Sequence, residues 1–172
     1  MTILKSLTGP LTRFGLAVAV IAALLDQASK LWLMFVYDLP ARGRVVLGPL
    51  FDFVFTKNTG ISYGLFQGTG ALWQWALLAI KVAAVVLLAV WLARSTTRLT
   101  ALSLGLIIGG AIGNAIDRLA YGFVVDFVLF HIDTASWRFY WYVFNLADVA
   151  IVAGVIGLLY ESVFSGRAVK AP

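Results

Sequence analysis

Four apolar stretches, at residues 14–37, 71–93, 99–120 and 139–160, each reach the ~20 residues that a helix needs to cross the hydrocarbon core of a bilayer. Nothing else in the chain limits its fold so severely, because a segment in lipid must satisfy its own backbone hydrogen bonds. The expected fold is an all-α membrane protein: four transmembrane helices with a small β-rich extracytoplasmic segment, in a single domain over residues 1–172. Composition agrees. Hydrophobic residues make up 62% and charged residues 12% of the chain, with mean hydropathy +0.95, against ~45–50% and ~25% in a soluble domain. That much apolar surface cannot be covered within 18.7 kDa, which sets aside a soluble globular protein.

The chemistry available is narrow. The chain has no cysteine, which removes thiol nucleophiles, disulfides and Cys-ligated metals together. His131 is the single histidine, too little for a His-based metal centre or a Ser-His-Asp triad, so no metal and no cofactor is expected. The net charge of +5 comes from 13 basic residues spread among apolar spans. That distribution fits the membrane orientation rule better than a nucleic-acid patch, and no nucleic-acid partner is expected. Lys5, Arg13 and the apolar run at 14–25 could open a signal peptide. However, Asp26-Gln27-Ala28-Ser29-Lys30 has no A-x-A cleavage pattern and the apolar run resumes at Leu31. A retained first helix is expected.

Orientation follows from Lys and Arg near the span ends. Lys5, Arg13, Arg94, Arg98, Arg167 and Lys170 fall on one side, and Arg42, Arg44, Lys57 and Arg138 on the other. The short connection carrying Arg94 and Arg98 weighs most, so both termini are expected in the cytoplasm. Residues 38–70 and 121–138 then lie outside. Their runs at 44–48, 51–56 and 123–130 are β-like and too short to span, with Gly-Pro punctuation between the first two.

An ionisable group inside a span costs roughly 2.5–3.5 kcal/mol even on lenient scales, so each needs a reason. Asp26 and Lys30 are spaced i, i+4 on one helical face and can pair. Asn114 with Asp117, and Asn145 with Asp148, are spaced i, i+3; Arg118 and Asn58 lie in the same outer layer, while the inner half is almost empty of polar groups. Asp26 with Lys30, or Asp117 with Arg118, could be charge pairs that only fix packing. Lys81 has no evident partner. Asp126 and Asp148 are acids without an adjacent base, and Asp148 is expected about nine residues, roughly 13 Å, into its helix. Two aspartates sharing a site hold a single proton, because both cannot ionise cheaply. The ionised one can activate water while the protonated one assists the carbonyl and the leaving amine. Spacing alone leaves two other readings open: a proton-coupled transporter using Asp148 and Asp26, and a non-catalytic membrane scaffold.

Five strings occur together and in order: Asp26-Gln27-Ala28-Ser29-Lys30, Asn58-Thr59-Gly60-Ile61-Ser62-Tyr63-Gly64, the run 109–118 ending Asn114-Ala115-Ile116-Asp117-Arg118, Val124-Val125-Asp126-Phe127 and Phe144-Asn145-Leu146-Ala147-Asp148. This series resembles the lipoprotein signal peptidases (signal peptidase II), aspartyl intramembrane peptidases, from the first span to the fourth. The resemblance implies that Asp126 and Asp148 are the catalytic pair. It implies supporting or substrate-contacting roles for Asn58, Gly60, Asn114, Arg118 and Asn145, and structural ones for Asp26, Lys30 and Asp117. It further implies a diacylglyceryl-modified prolipoprotein as substrate, cut just before the modified cysteine. Membrane lipids are the implied surroundings and globomycin-type peptides the implied inhibitors. The place it implies is the bacterial cytoplasmic (inner) membrane, with the active site toward the outer face. Asp126 must then meet Asp148, so residues 121–127 are expected to fold back on the bundle with Gly122 as pivot.

Overall fold

The structure is a computed structural model describing residues 9–59 and 71–168; Gly60 and the Lys81 side chain lie outside the described part. Helix α1 (Thr12–Leu31) continues through one wider turn at Trp32–Val36. A short α2 (Leu39–Arg42) leads to β1 (Val45–Val46) and β2 (Phe51–Asn58). Helices α3 (Ala71–Ala93) and α4 (Arg98–Tyr121) follow, then β3 (Val124–Asp133), β4 (Arg138–Tyr140) and α5 (Leu146–Ala168). The chain is thus mostly helical with one small antiparallel sheet. Among the described residues three stretches, Thr12–Val36, Arg98–Tyr121 and Leu146–Phe164, are long and apolar enough to cross a membrane, and α3 adds the apolar stretch Val82–Ala93.

Helix α4 is the centre of the bundle, with α1 and α5 packed along it. In lipid the apolar effect does not drive helices together, so small residues that let backbones approach do the work. A Cβ on Gly105 of α4 would lie 2.5 Å from the Gly15 carbonyl oxygen of α1, and one on Gly154 of α5 would lie 2.5 Å from the Ser103 carbonyl oxygen of α4. Leu92 of α3 joins Ala19, Ala101, Leu104 and Ile108 in a buried cluster, whereas Leu24, Val152 and Leu159 face outward. At the end of the bundle away from the sheet, Thr97 caps α4, and the Thr97 and Thr100 hydroxyls donate to Glu161 of α5.

The sheet runs β1-β2-β3-β4, all antiparallel. The expected strands at 44–48, 51–56 and 123–130 fall on β1, β2 and β3. Gly122, at φ +79°, ends α4 in the left-handed conformation that favours glycine and turns the chain into β3.

The expected start of the fourth span at residue 139 is corrected. Residues 138–144 run along the free edge of β3, with Trp141 N–H donating to the Phe130 carbonyl (2.8 Å) and Phe144 N–H to that of Val128 (2.9 Å). This aromatic run has the hydropathy of a span, but its backbone groups are satisfied by β3, and the helix starts only at Leu146. On the opposite sheet face the buried Asp52 lies against Arg44 and 3.1 Å from His131 Nε2. Burial pushes the Asp52 carboxyl up, but Arg44 and His131 outweigh it and hold the group below the usual carboxylate range.

Candidate functional site

The polar side chains of α1, α4, β3 and α5 meet where the sheet joins the bundle. Lys30, 1% exposed, places its Nζ 2.8 Å from Asp26 and 2.8 Å from Asp117, both fully buried. Each of these carboxylates also holds a backbone amide. Asp117 Oδ2 accepts from Val125 N–H at 2.9 Å, and Asp26 Oδ1 accepts from Ala147 N–H at 2.9 Å. Val125 precedes Asp126, and Ala147 precedes Asp148. The ammonium between two carboxylates therefore ties together the backbones that carry the two candidate catalytic acids. Gln27 completes the arrangement by donating to Asp117 Oδ1 (2.8 Å) and to the Gly113 carbonyl (3.0 Å). Gly113 must be glycine here, since a Cβ would lie 2.5 Å from Asp26 Oδ2.

A second layer of amides joins the acids themselves. Asn114 Oδ1 accepts from Lys30 Nζ (3.1 Å) and from Asn145 Nδ2 (3.0 Å). That fixes the amide so that its own Nδ2 donates to Asp148 Oδ1 at 2.9 Å. Asn145 Nδ2 donates to Asp126 Oδ1 at 2.6 Å, and Asn58 Nδ2 reaches Asp126 Oδ2 at 3.0 Å from β2. Asn145 also caps α5: its Oδ1 accepts from Asp148 N–H (3.0 Å) while Asp148 Oδ2 accepts from Asn145 N–H (3.2 Å), a reciprocal capping box. The Arg118 guanidinium donates to the Asn114 carbonyl (3.2 Å), and its charge acts on Asp126, Asp117 and Asp148.

Asp126, on β3, is 2% exposed. Burial raises its pKa, the Asn58 hydrogen bond lowers it, the Asp148 charge raises it, and Asn145 and Lys30 lower it; burial prevails and the group rests at about 6 instead of 3.8. A carboxyl so poised can exchange a proton near neutral pH.

The structure brings together Asp26, Lys30, Asn58, Asn114, Asp117, Arg118, Asp126, Asn145 and Asp148, nine of the ten residues expected at the site. One detail is corrected. Asp148 is in the first turn of its helix, not about nine residues into it, because the helix begins later than its hydropathy implied. Asp117 pairs with Lys30 across the α1–α4 interface, and its charge also acts on its neighbour Arg118. Gln27 is a site residue that the sequence reading does not single out. The available signal was a neutral amide one residue from a charge within an apolar span, where such a group needs a partner. Among the described residues no group of three or more His, Asp or Glu is arranged to hold a metal ion.

A family model described as "Signal peptidase (SPase) II" matches residues 18–164 of the chain. A lipoprotein signal peptidase of Nitrobacter hamburgensis is 63% identical over 160 residues, which cover 93% of this chain and 98% of that protein. One from Rhodopseudomonas palustris (strain TIE-1) is 59% identical over the same shares. A bacterial membrane enzyme solved by the in meso method at 2.3 Å resolution superposes with a TM-score of 0.74, covering 92% of each chain at 22% identity. That likeness concerns the fold alone.

Proposed function

The chain belongs to the signal peptidase II family, and from this premise we propose that it is an aspartyl endopeptidase working through Asp126 and Asp148. As a family member it is a multi-pass membrane peptidase that removes signal peptides from prolipoproteins. The observation that most supports an aspartyl mechanism is the unbroken chain of amides from Asp126 through Asn145 and Asn114 to Asp148. In this reading the two carboxyls share one proton. The ionised one takes a proton from water as its oxygen attacks the scissile carbonyl. The protonated one donates to the carbonyl oxygen, and the amine leaves with a proton returned from the pair. Asn58 and Arg118 hold the polar backbone of the substrate, and Asn145 and Asn114 keep the carboxyls in register. Gly60 belongs to the same reading as a substrate contact. Globomycin-type peptides would compete for this site.

Cleavage falls before a diacylglyceryl-modified cysteine. The acyl chains place that residue at the depth of the dyad, because each buried methylene contributes roughly 0.8 kcal/mol. Binding energy from this unreactive part can then position the scissile bond. The test compares kcat/KM for one prolipoprotein peptide with and without the lipid, in the same detergent, followed by gel shift of the released signal peptide. The lipidated form should be preferred by roughly a hundredfold or more; equal values would make the protein a general intramembrane peptidase.

Four spans, with α3 as the second, both termini in the cytoplasm and the sheet outside complete the proposal, in the bacterial inner membrane. The Lys/Arg distribution supports this orientation. The chain has no native cysteine, so single cysteines report cleanly. One introduced at residue 68 should react with an impermeant reagent from outside, and those at the exposed position 96 and at 171 only from the cytoplasm. The reverse pattern would overturn both the orientation and the outward site.

A further inference from the structure

Glu161 is an acid that neither the site nor the sheet accounts for. The chain has eight acidic residues. Asp26, Asp117, Asp126 and Asp148 belong to the site, and Asp38, Asp52 and Asp133 lie on the sheet side of the bundle. Glu161 stands at the opposite end, which also carries Arg13, Arg94 and Arg98. At the start of α4, Thr97 Oγ1 donates to Glu161 Oε1 and Thr100 Oγ1 to Oε2. These hydroxyls fix the carboxylate without exhausting it, since each of its oxygens can accept a further bond. Among the described residues no lysine or arginine pairs with it, and the side chain is only part buried. An oriented carboxylate with no cation of its own suits an incoming positive charge.

We propose that Glu161 receives the positively charged amino-terminal region of the substrate's signal peptide, an inference that rests on the function and topology proposed above. The spacing to the dyad selects this cation. Asp148 and Glu161 are both on α5, 13 positions apart, about 20 Å along the helix. A signal peptide opens with Lys or Arg, continues with an apolar stretch of ~7–15 residues, and is cut beyond that stretch. An apolar stretch of ~13 helical residues, lying parallel to α5 with its outer end at the dyad, brings the basic residues level with Glu161. The other charges at this end of the bundle are positive and repel them. The ion pair therefore sets one height for the peptide along the bundle, the height at which the scissile bond meets Asp126 and Asp148.

The experiment measures kcat/KM, in one detergent at low ionic strength, for three lipid-modified prolipoprotein peptides. They differ only in the amino-terminal region, which carries two lysines, two glutamines or two glutamates. The unaltered protein should prefer the lysine peptide to the glutamine peptide by about fivefold, the upper end for an exposed ion pair, and less so in high salt. Glu161→Gln should cut these two peptides equally, and Glu161→Lys should prefer the glutamate peptide. Each ratio is read within one protein, so a lower folded yield does not enter it. No preference in the unaltered protein, or one that persists in Glu161→Gln, overturns the contact. So does an equal slowing of all three peptides, which would leave Glu161 as a partner for the amino-terminal end of α4 only. Failure of the unaltered protein to cut any lipidated peptide overturns the function proposal itself.

Discussion

Asp126→Asn is expected to lower kcat/KM for prolipoprotein cleavage on the order of 10³-fold, and Asp148→Asn by a similar factor. Asparagine keeps the volume of each carboxyl but cannot take a proton from water or share one with its partner. On the proposed mechanism the two acids act as a unit, so the double variant should lose little more than either single one. Loss of activity must be separated from loss of fold, and Asp126 provides the means. Its carboxyl rests at about 6 in the folded protein against 3.8 ordinarily, so the folded state binds this proton more tightly than the unfolded one. Its stabilising effect is full below about 3.8 and is lost as pH rises through about 6. Asparagine has no such loss. Relative to the unaltered protein, Asp126→Asn should gain thermal stability at pH ~8, by at most roughly 3 kcal/mol, about half of that at pH ~5, and little only below pH ~3.5. The gain is smaller in proportion as the new amide fails to accept from both Asn58 and Asn145. EDTA should leave cleavage unchanged. Full turnover by Asp126→Asn, or activity lost in EDTA and restored by zinc, would overturn the assignment.

The second large effect is on folding. Lys30→Met leaves the fully buried Asp26 and Asp117 without the ammonium 2.8 Å from each. Breaking a buried pair from one side costs about 3–5 kcal/mol, a large part of the ~5–15 kcal/mol that holds a typical protein folded. Folded yield by size exclusion in detergent should collapse, and whatever survives should melt well below the unaltered protein. Asp26→Asn should be milder, because an amide oxygen can still accept from Ala147 N–H. Equal midpoints for Lys30→Met and the unaltered protein would mean that the triad contributes nothing.

Much of this was legible in the chain. Hydropathy located α1, α3 and α4, and Gly122 marked the reversal into β3 because a tight turn out of a helix calls for a left-handed residue. The i, i+4 spacing of Asp26 and Lys30 anticipated their ion pair. What hydropathy could not resolve was residues 139–144, where Phe, Tyr and Trp suit a span and a strand equally well. Only pairing with β3 decides between them, and the depth of Asp148 shifted with that decision. The third member of the triad was also hidden, since Asp117 meets Lys30 only after α4 packs on α1. The cluster of Arg44, Asp52 and His131 needs the strand register before its members become neighbours. Side chains 68 to 90 positions apart, such as Asn58 with Asp126 or Gln27 with Asp117, leave no periodic trace in a sequence.

The glycine contacts along α4 bear on where the cut-off segment goes. Where Gly105 meets Gly15 and Gly154 meets Ser103, helix backbones touch with no side chain between them. Farther from the sheet, Glu161 closes α5 onto the start of α4. A severed signal peptide therefore has no axial passage through the α1, α4 and α5 interfaces. On the proposed reading it departs sideways, sliding from between the helices into the surrounding lipid, and its own hydrophobicity draws it out. Turnover would then depend on the fluidity of the bilayer as well as on the acids that cut.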